Sequence, residues 1–80
     1  MSALTMPNRT RAFLQARSLQ VSRQQLGCKH LEAVLIGRIK PLGSGPNWEV
    51  LAFRPELPPI ARNEALKAVD VLRGTYALAP

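Results

Sequence analysis

An α+β fold with the order α-β-β-α is predicted by three features of this 80-residue chain. A stretch free of Gly and Pro runs from Arg9 to Leu26. Two short aliphatic runs flank the segment "PLGSGP" at residues 41–46. An alanine-rich segment from Ile60 to Arg73 repeats its apolar residues at helical spacing.

Residues 1–8 show no periodicity and Pro7 blocks an early helix, so they read as a flexible start before a single domain at 9–78. Asn8 or Thr10 can cap the first helix. Within it Ala12, Phe13, Ala16, Leu19 and Leu26 share one side, and Gly27 stops it. Arg23 interrupts this stripe, while Leu14 and Val21 lie off it.

"LEAVLIGRIKP" is rich in β-branched and aliphatic residues and reads as a strand ended by Pro41. "NWEVLAF" is the second strand, ended by Pro55. Placing Lys40 opposite Asn47 sets Ile39 against Trp48, Arg38 against Glu49, Ile36 against Leu51 and Val34 against Phe53. This register yields an opposite-charge pair and an aromatic–aliphatic pair, both favourable in an antiparallel ladder. Gly43-Ser44-Gly45 is then a hairpin turn. A phosphate cradle needs further Gly or Lys positions and a helix directly after it; here Pro46 and a strand follow.

The same register puts Leu35, Ile39, Trp48, Val50 and Ala52 on one face and Val34, Ile36, Leu51 and Phe53 on the other. A ribbon apolar on both faces needs cover on both, because two strands alone are marginal in water. "RPELPP" leads into the final helix, where Ala61, Ala65, Ala68, Val69 and Leu72 form the buried arc and Gly74 ends it. The core expected from these patterns is Leu35, Ile39, Trp48, Val50, Ala65, Val69 and Leu72. Tyr76 and Leu78 continue onto the sheet edge or a neighbouring chain.

A core this thin needs reinforcement. Cys28 is the only cysteine and His30 the only histidine, so neither an internal disulfide nor a structural zinc site can supply it. Oligomerisation remains. Two hairpins joined edge to edge would make a four-stranded sheet across a homodimer and remove two exposed edges.

Charge is divided unevenly. Residues 1–40 hold seven bases against one acid, whereas residues 41–80 hold four of each, so the net +6 belongs to the first half. This marks Arg9, Arg11, Arg17, Lys29, Arg38 and Lys40 as candidate contacts to an anion or nucleic acid. The arginines do not group on one side of the first helix, as tracking a phosphate backbone would require. No signal-peptide or membrane-length apolar run occurs, which together with a lone thiol predicts a cytoplasmic small protein without membrane association.

No catalytic, cofactor or metal constellation is legible. Cys28 and His30 lie two apart, but no third group orients the imidazole. Glu49, Glu56, Glu64 and Asp70 are dispersed, each near a base. Trp48 could stack on a nucleobase between Arg38 and Lys40, but a lone tryptophan in a small domain is ordinarily a buried anchor.

The helix–strand order, "GPNW" and the alanine-rich last helix resemble the double-stranded-RNA-binding domain. That family has three strands, however, and lysines open its final helix, where this chain reads Pro58-Pro59-Ile60-Ala61-Arg62. Over "PNWEV…RPELPP…A…V..LRGTYAL", residues 46–78, the chain is similar to short uncharacterised proteins of alphaproteobacteria. That resemblance implies a small-protein family and no activity. The expected function is a non-enzymatic protein-interaction module forming a homodimer; a nucleic-acid-binding accessory role for the basic half is the alternative.

Overall fold

A computed structural model of the protein describes residues 6–43 and 45–80. The elements run β1 (Asn8–Arg9), α1 (Arg11–Arg23), β2 (Ala33–Arg38), β3 (Trp48–Arg54), α2 (Pro59–Arg73) and β4 (Ala77–Leu78). The α-β-β-α order is therefore present, with a short strand added at each end. The body is 42 Å long and 19 Å across, so few residues lie far from water.

Thr10 caps α1, its Oγ1 accepting from the Phe13 N–H at 3.1 Å. The helix stops at Arg23, short of Leu26, and the chain turns through Gly27 at φ +83°. There an alanine would be strained and its Cβ would also lie 3.3 Å from Ala61 Cβ.

The buried side of α1 is not the expected apolar stripe. It consists of Leu14, Ser18 and Ser22, while Ala12 and Ala16 are exposed and Leu26 is 91 % exposed. The physical reason is helix-on-helix packing. α1 packs against α2, with Gly27 beside Ala61 at one end and Phe13 edge-on to Tyr76 at the other, so the two run antiparallel. Small side chains let the axes approach, and serine serves as well as alanine in size while hiding from an apolar count.

Both serine hydroxyls are fully buried without a hydrogen-bond partner. A buried hydroxyl left unpaired is unfavourable by roughly 1–3 kcal/mol, and alanine is also the better helix former. Ser18→Ala and Ser22→Ala are each expected to raise stability by about 1 kcal/mol, read as a higher urea midpoint at unchanged slope. A lower midpoint would show that the hydroxyls are bonded in solution.

β2 and β3 form the antiparallel hairpin, and the expected register holds over its open half: Ala33 faces Arg54, Val34 Phe53 and Leu35 Ala52. Beyond Leu35 it shifts by one, so Ile36 faces Val50, Gly37 faces Glu49 and Arg38 faces Trp48. Leu51 is the extra residue of a β-bulge. The bulge corrects the expected division of faces. Cross-strand partners share a face, so Val34, Ile36, Trp48, Val50 and Phe53 now gather on one side. Leu35, Ala52 and Glu49 lie on the other, and Leu51, 62 % exposed, folds its side chain over Gly37. The first side takes the apolar cover, while on the other Leu35 and Ala52 stay half-buried and Leu51 exposed.

That cover comes mainly from the helices. Leu14, Cys28, Leu31, Val34, Ile36, Trp48, Phe53, Ala61, Ala65, Val69, Leu72 and Leu78 form a single buried cluster. Leu35, Ile39 and Val50, expected within it, are half-buried. α1 also packs on β2, where Gln15 Oε1 accepts the outward N–H of Ile36 at 3.1 Å. In the hairpin loop Gly43 adopts φ +63°, and the Gly45 N–H donates to the Leu42 carbonyl at 3.2 Å, a turn as expected; Ser44 lies outside the described residues.

The first and last described strands meet. β1 and β4 pair in parallel, the N–H groups of Ala77 and Ala79 donating to the carbonyls of Pro7 and Arg9 at 2.9 and 2.8 Å. Pro7 and Asn8, expected in the flexible start, are therefore part of the folded body.

Candidate interaction groove

β3 pairs with β2 on one edge only. Beneath its other edge, α2 extends outward and leaves a groove of about 620 Å³. Pro59 in the first turn starts α2, and its arc of Ala61, Ala65, Val69 and Leu72 turns into the core. The neighbouring side of the helix faces the groove, where Val50, Leu66 and Val69 supply apolar lining and Ile60, 81 % exposed, forms one lip. A smaller hollow of about 150 Å³ shares Val50 and Arg62 and extends to Phe53, Glu56 and Leu57.

The groove differs electrostatically from the rest of the chain. Glu49, Glu64 and Asp70 balance Arg62, Lys67 and Arg73 among its lining residues. It carries no net charge in a chain of +6. Two ion pairs organise the helix side: Lys67 with Glu64 at 3.3 Å and Arg73 with Asp70 at 2.9 Å. Arg73 also donates from Nε to the Trp48 carbonyl at 2.8 Å, tying the end of α2 to the start of β3.

Beside the groove lies a hydrogen-bonded node. Trp48 is fully buried, and its Nε1 donates to the Tyr76 carbonyl at 3.0 Å. Its ring is core, not an exposed stacking platform. Asn47 bonds the Leu78 main chain twice, donating from Nδ2 to the carbonyl at 3.0 Å and accepting from the N–H at 2.9 Å. On the edge of β4 away from β1, an amide side chain thus takes the place of a second strand neighbour.

The six basic candidates do not form one surface. The Arg9 guanidinium sits 5.5 Å from the Phe13 ring and 5.3 Å from the Tyr76 ring, a cation–π arrangement internal to the fold. Arg38 donates to the Ala79 carbonyl, and Arg17 to Gln20 Oε1 on its own helix. Arg11, Lys29 and Lys40 are exposed. Arg9 and Arg38 converge on the C-terminal strand, whereas Lys29 lies in the loop before the opposite end of β2.

Cys28 is buried with Sγ 3.5 Å from the Ala61 carbonyl, while His30 is exposed, so the pair does not work as a unit. Burial, then the Glu64 carboxylate, pushes the thiol above its ordinary value of 9.0. A raised thiol value favours the folded state while the thiol is protonated. The stability it lends is complete below about pH 9, the ordinary thiol value, and is lost as pH rises through the folded value. Unfolding titrations from pH 7 to 11 are expected to show this fall, flattened in Cys28→Ala; equal slopes would refute it.

Among the described residues no group of three or more His, Cys, Asp or Glu could hold a metal, and no helix is long and apolar enough to cross a membrane. Sequence reasoning missed the groove because it assigned Val50 to the core and read Ile60 only as a helix start. The available signal was Leu66 and Ile60, apolar residues off the buried arc of α2. No family model, curated protein or solved structure matches the chain.

Proposed function

We propose that the protein is a non-enzymatic interaction module that works as a homodimer. The observation that carries this reading is the charge-neutral groove under an unpaired strand edge, in a chain whose net charge lies elsewhere. Self-association of a strongly basic chain is opposed by self-repulsion except through a neutral patch. The open β3 edge offers main-chain groups to pair, and the groove offers apolar surface to bury. A single buried thiol fits a reducing, cytoplasmic setting of a small bacterial protein.

Sedimentation equilibrium tests the reading. The expected species at micromolar concentration is a dimer; a monomer persisting into the high micromolar range overturns it. The nucleic-acid alternative keeps one supporting observation, the exposure of Arg11, Lys29 and Lys40. It requires retention on nucleic acid that falls steeply with salt. No retention at low salt removes it.

A further inference from the structure

Resting on the homodimer reading, we infer how the second copy docks: β3 pairs antiparallel with β3 of a second copy about a two-fold axis between Leu51 and Ala52, with Glu49 of each facing Arg54 of the other. Main-chain direction, face and charge agree on this register.

The first is main-chain direction. The carbonyls of Asn47 and Arg54 accept from Ile39 and Glu32 at 3.0 and 2.7 Å, so both point at β2. The Trp48 carbonyl points the opposite way, to Arg73. Strand alternation then directs the main-chain groups of Val50 and Phe53 to the free edge. An antiparallel partner must match outward groups with outward groups, and Val50 against Phe53 of the second copy does so twice by symmetry.

The second is face. Without the bulge, residues 50 and 53 would point to opposite sides of the sheet. The extra residue Leu51 puts both on the helix-covered side. The same pairing keeps all four strands apolar towards the helices. It also places Glu49 and Arg54 together on the outer face.

The third is charge. Glu49 is the second residue of the strand and Arg54 its last, and both are exposed. Antiparallel pairing brings unlike charges opposite each other at both ends, a favourable cross-strand arrangement. The Arg73 end of α2 lies at Trp48 and its Arg62 end borders the hollow beside Phe53 and Arg54, so it runs antiparallel to β3. With its charges paired along its own length, Lys67 with Glu64 and Arg73 with Asp70, α2 sets no like-charge contact against this register.

The test is sedimentation equilibrium at low and high salt on the unaltered chain, Glu49→Arg, Arg54→Glu and the double variant. Each single substitution sets like charges opposite at two symmetric places. It is expected to weaken the dimer roughly tenfold or more at low salt, less at high salt. The double variant restores opposite pairs and is expected to return to the original dissociation constant, which also shows that the substituted strand still folds. A dimer indifferent to both single changes overturns this docking and leaves the homodimer reading standing. Failure of the double variant to recover, with a normal circular dichroism spectrum, overturns the docking as well. An unaltered chain that stays monomeric overturns both.

Discussion

Trp48→Ala is expected to remove most of the folding stability of this protein. Trp48 is the largest fully buried side chain. Its ring shares the core with Val34, Ile36, Phe53, Val69 and Leu72. Truncating a buried aromatic to alanine lowers stability by roughly 3–5 kcal/mol, because transfer free energy is lost and the cavity collapses only partly. A small domain has only about 5–15 kcal/mol in total, and a body this narrow sits at the low end. The substitution also leaves the Tyr76 carbonyl without its 3.0 Å donor.

Urea unfolding followed by far-ultraviolet circular dichroism reads the loss, with the variant largely unfolded at low denaturant. Trp48→Phe separates the two contributions. It keeps most of the ring volume but lacks the N–H, so its expected loss is nearer 1–2 kcal/mol. In the unaltered chain indole emission should be blue-shifted and move to the red on unfolding. Emission typical of water-exposed indole in the folded state would contradict the buried ring.

The legibility of this fold in its sequence varied with how each element is stabilised. α2 was readable because its packing face is made of apolar residues. Ala61, Ala65, Val69 and Leu72 are all buried as their spacing implies. α1 was readable as a helix but not as a surface. Its inner face is Leu14 followed by two serines, chosen by the need for close helix approach, so Ala12 and Ala16 face solvent while Leu19 and Val21 pack only at the margin of the core.

The hairpin was legible in existence and in half its register. Alternation cannot reveal a bulge, because one inserted residue preserves the composition of both strands while exchanging their faces. The groove beside β3 depends on that exchange and on the overhang of α2. Both are tertiary facts, and its residues carried no local mark.

The stretch 46–78 gains meaning from the node around Trp48. In "PNWEV" and "LRGTYAL", Asn47, Trp48, Arg73, Tyr76 and Leu78 meet through hydrogen bonds between residues 25 to 31 apart. These five residues are one latch joining hairpin, helix end and final strand.

That latch sets the second large effect. Leu78 is buried to 3 % exposure on a strand of two residues, far too short to hold itself in place. Leu78→Ala is expected to lower stability by about 2–5 kcal/mol through lost burial. Asn47→Ala removes both bonds to the Leu78 main chain and leaves a half-buried donor and acceptor unpaired, a loss of roughly 1–3 kcal/mol. Asn47→Asp keeps the acceptor but sets a carboxylate oxygen against the Leu78 carbonyl, so it should destabilise at least as much.

If Asn47 acts by fixing β4, the two sites are coupled. The double variant should lose less than the two single losses combined, by about 0.5–3 kcal/mol, because Asn47 has little left to hold once Leu78 no longer anchors the strand. Strict additivity across a urea-denaturation cycle would mean that Asn47 stabilises the loop alone. Amide exchange supplies the spatial readout. In Asn47→Ala, the N–H groups of Ala77 and Ala79 should lose protection while those of α2 keep theirs, since the β1–β4 pair opens before the helix does. Loss of protection spread evenly over the chain would instead make the latch part of the global core, with no separately opening strand.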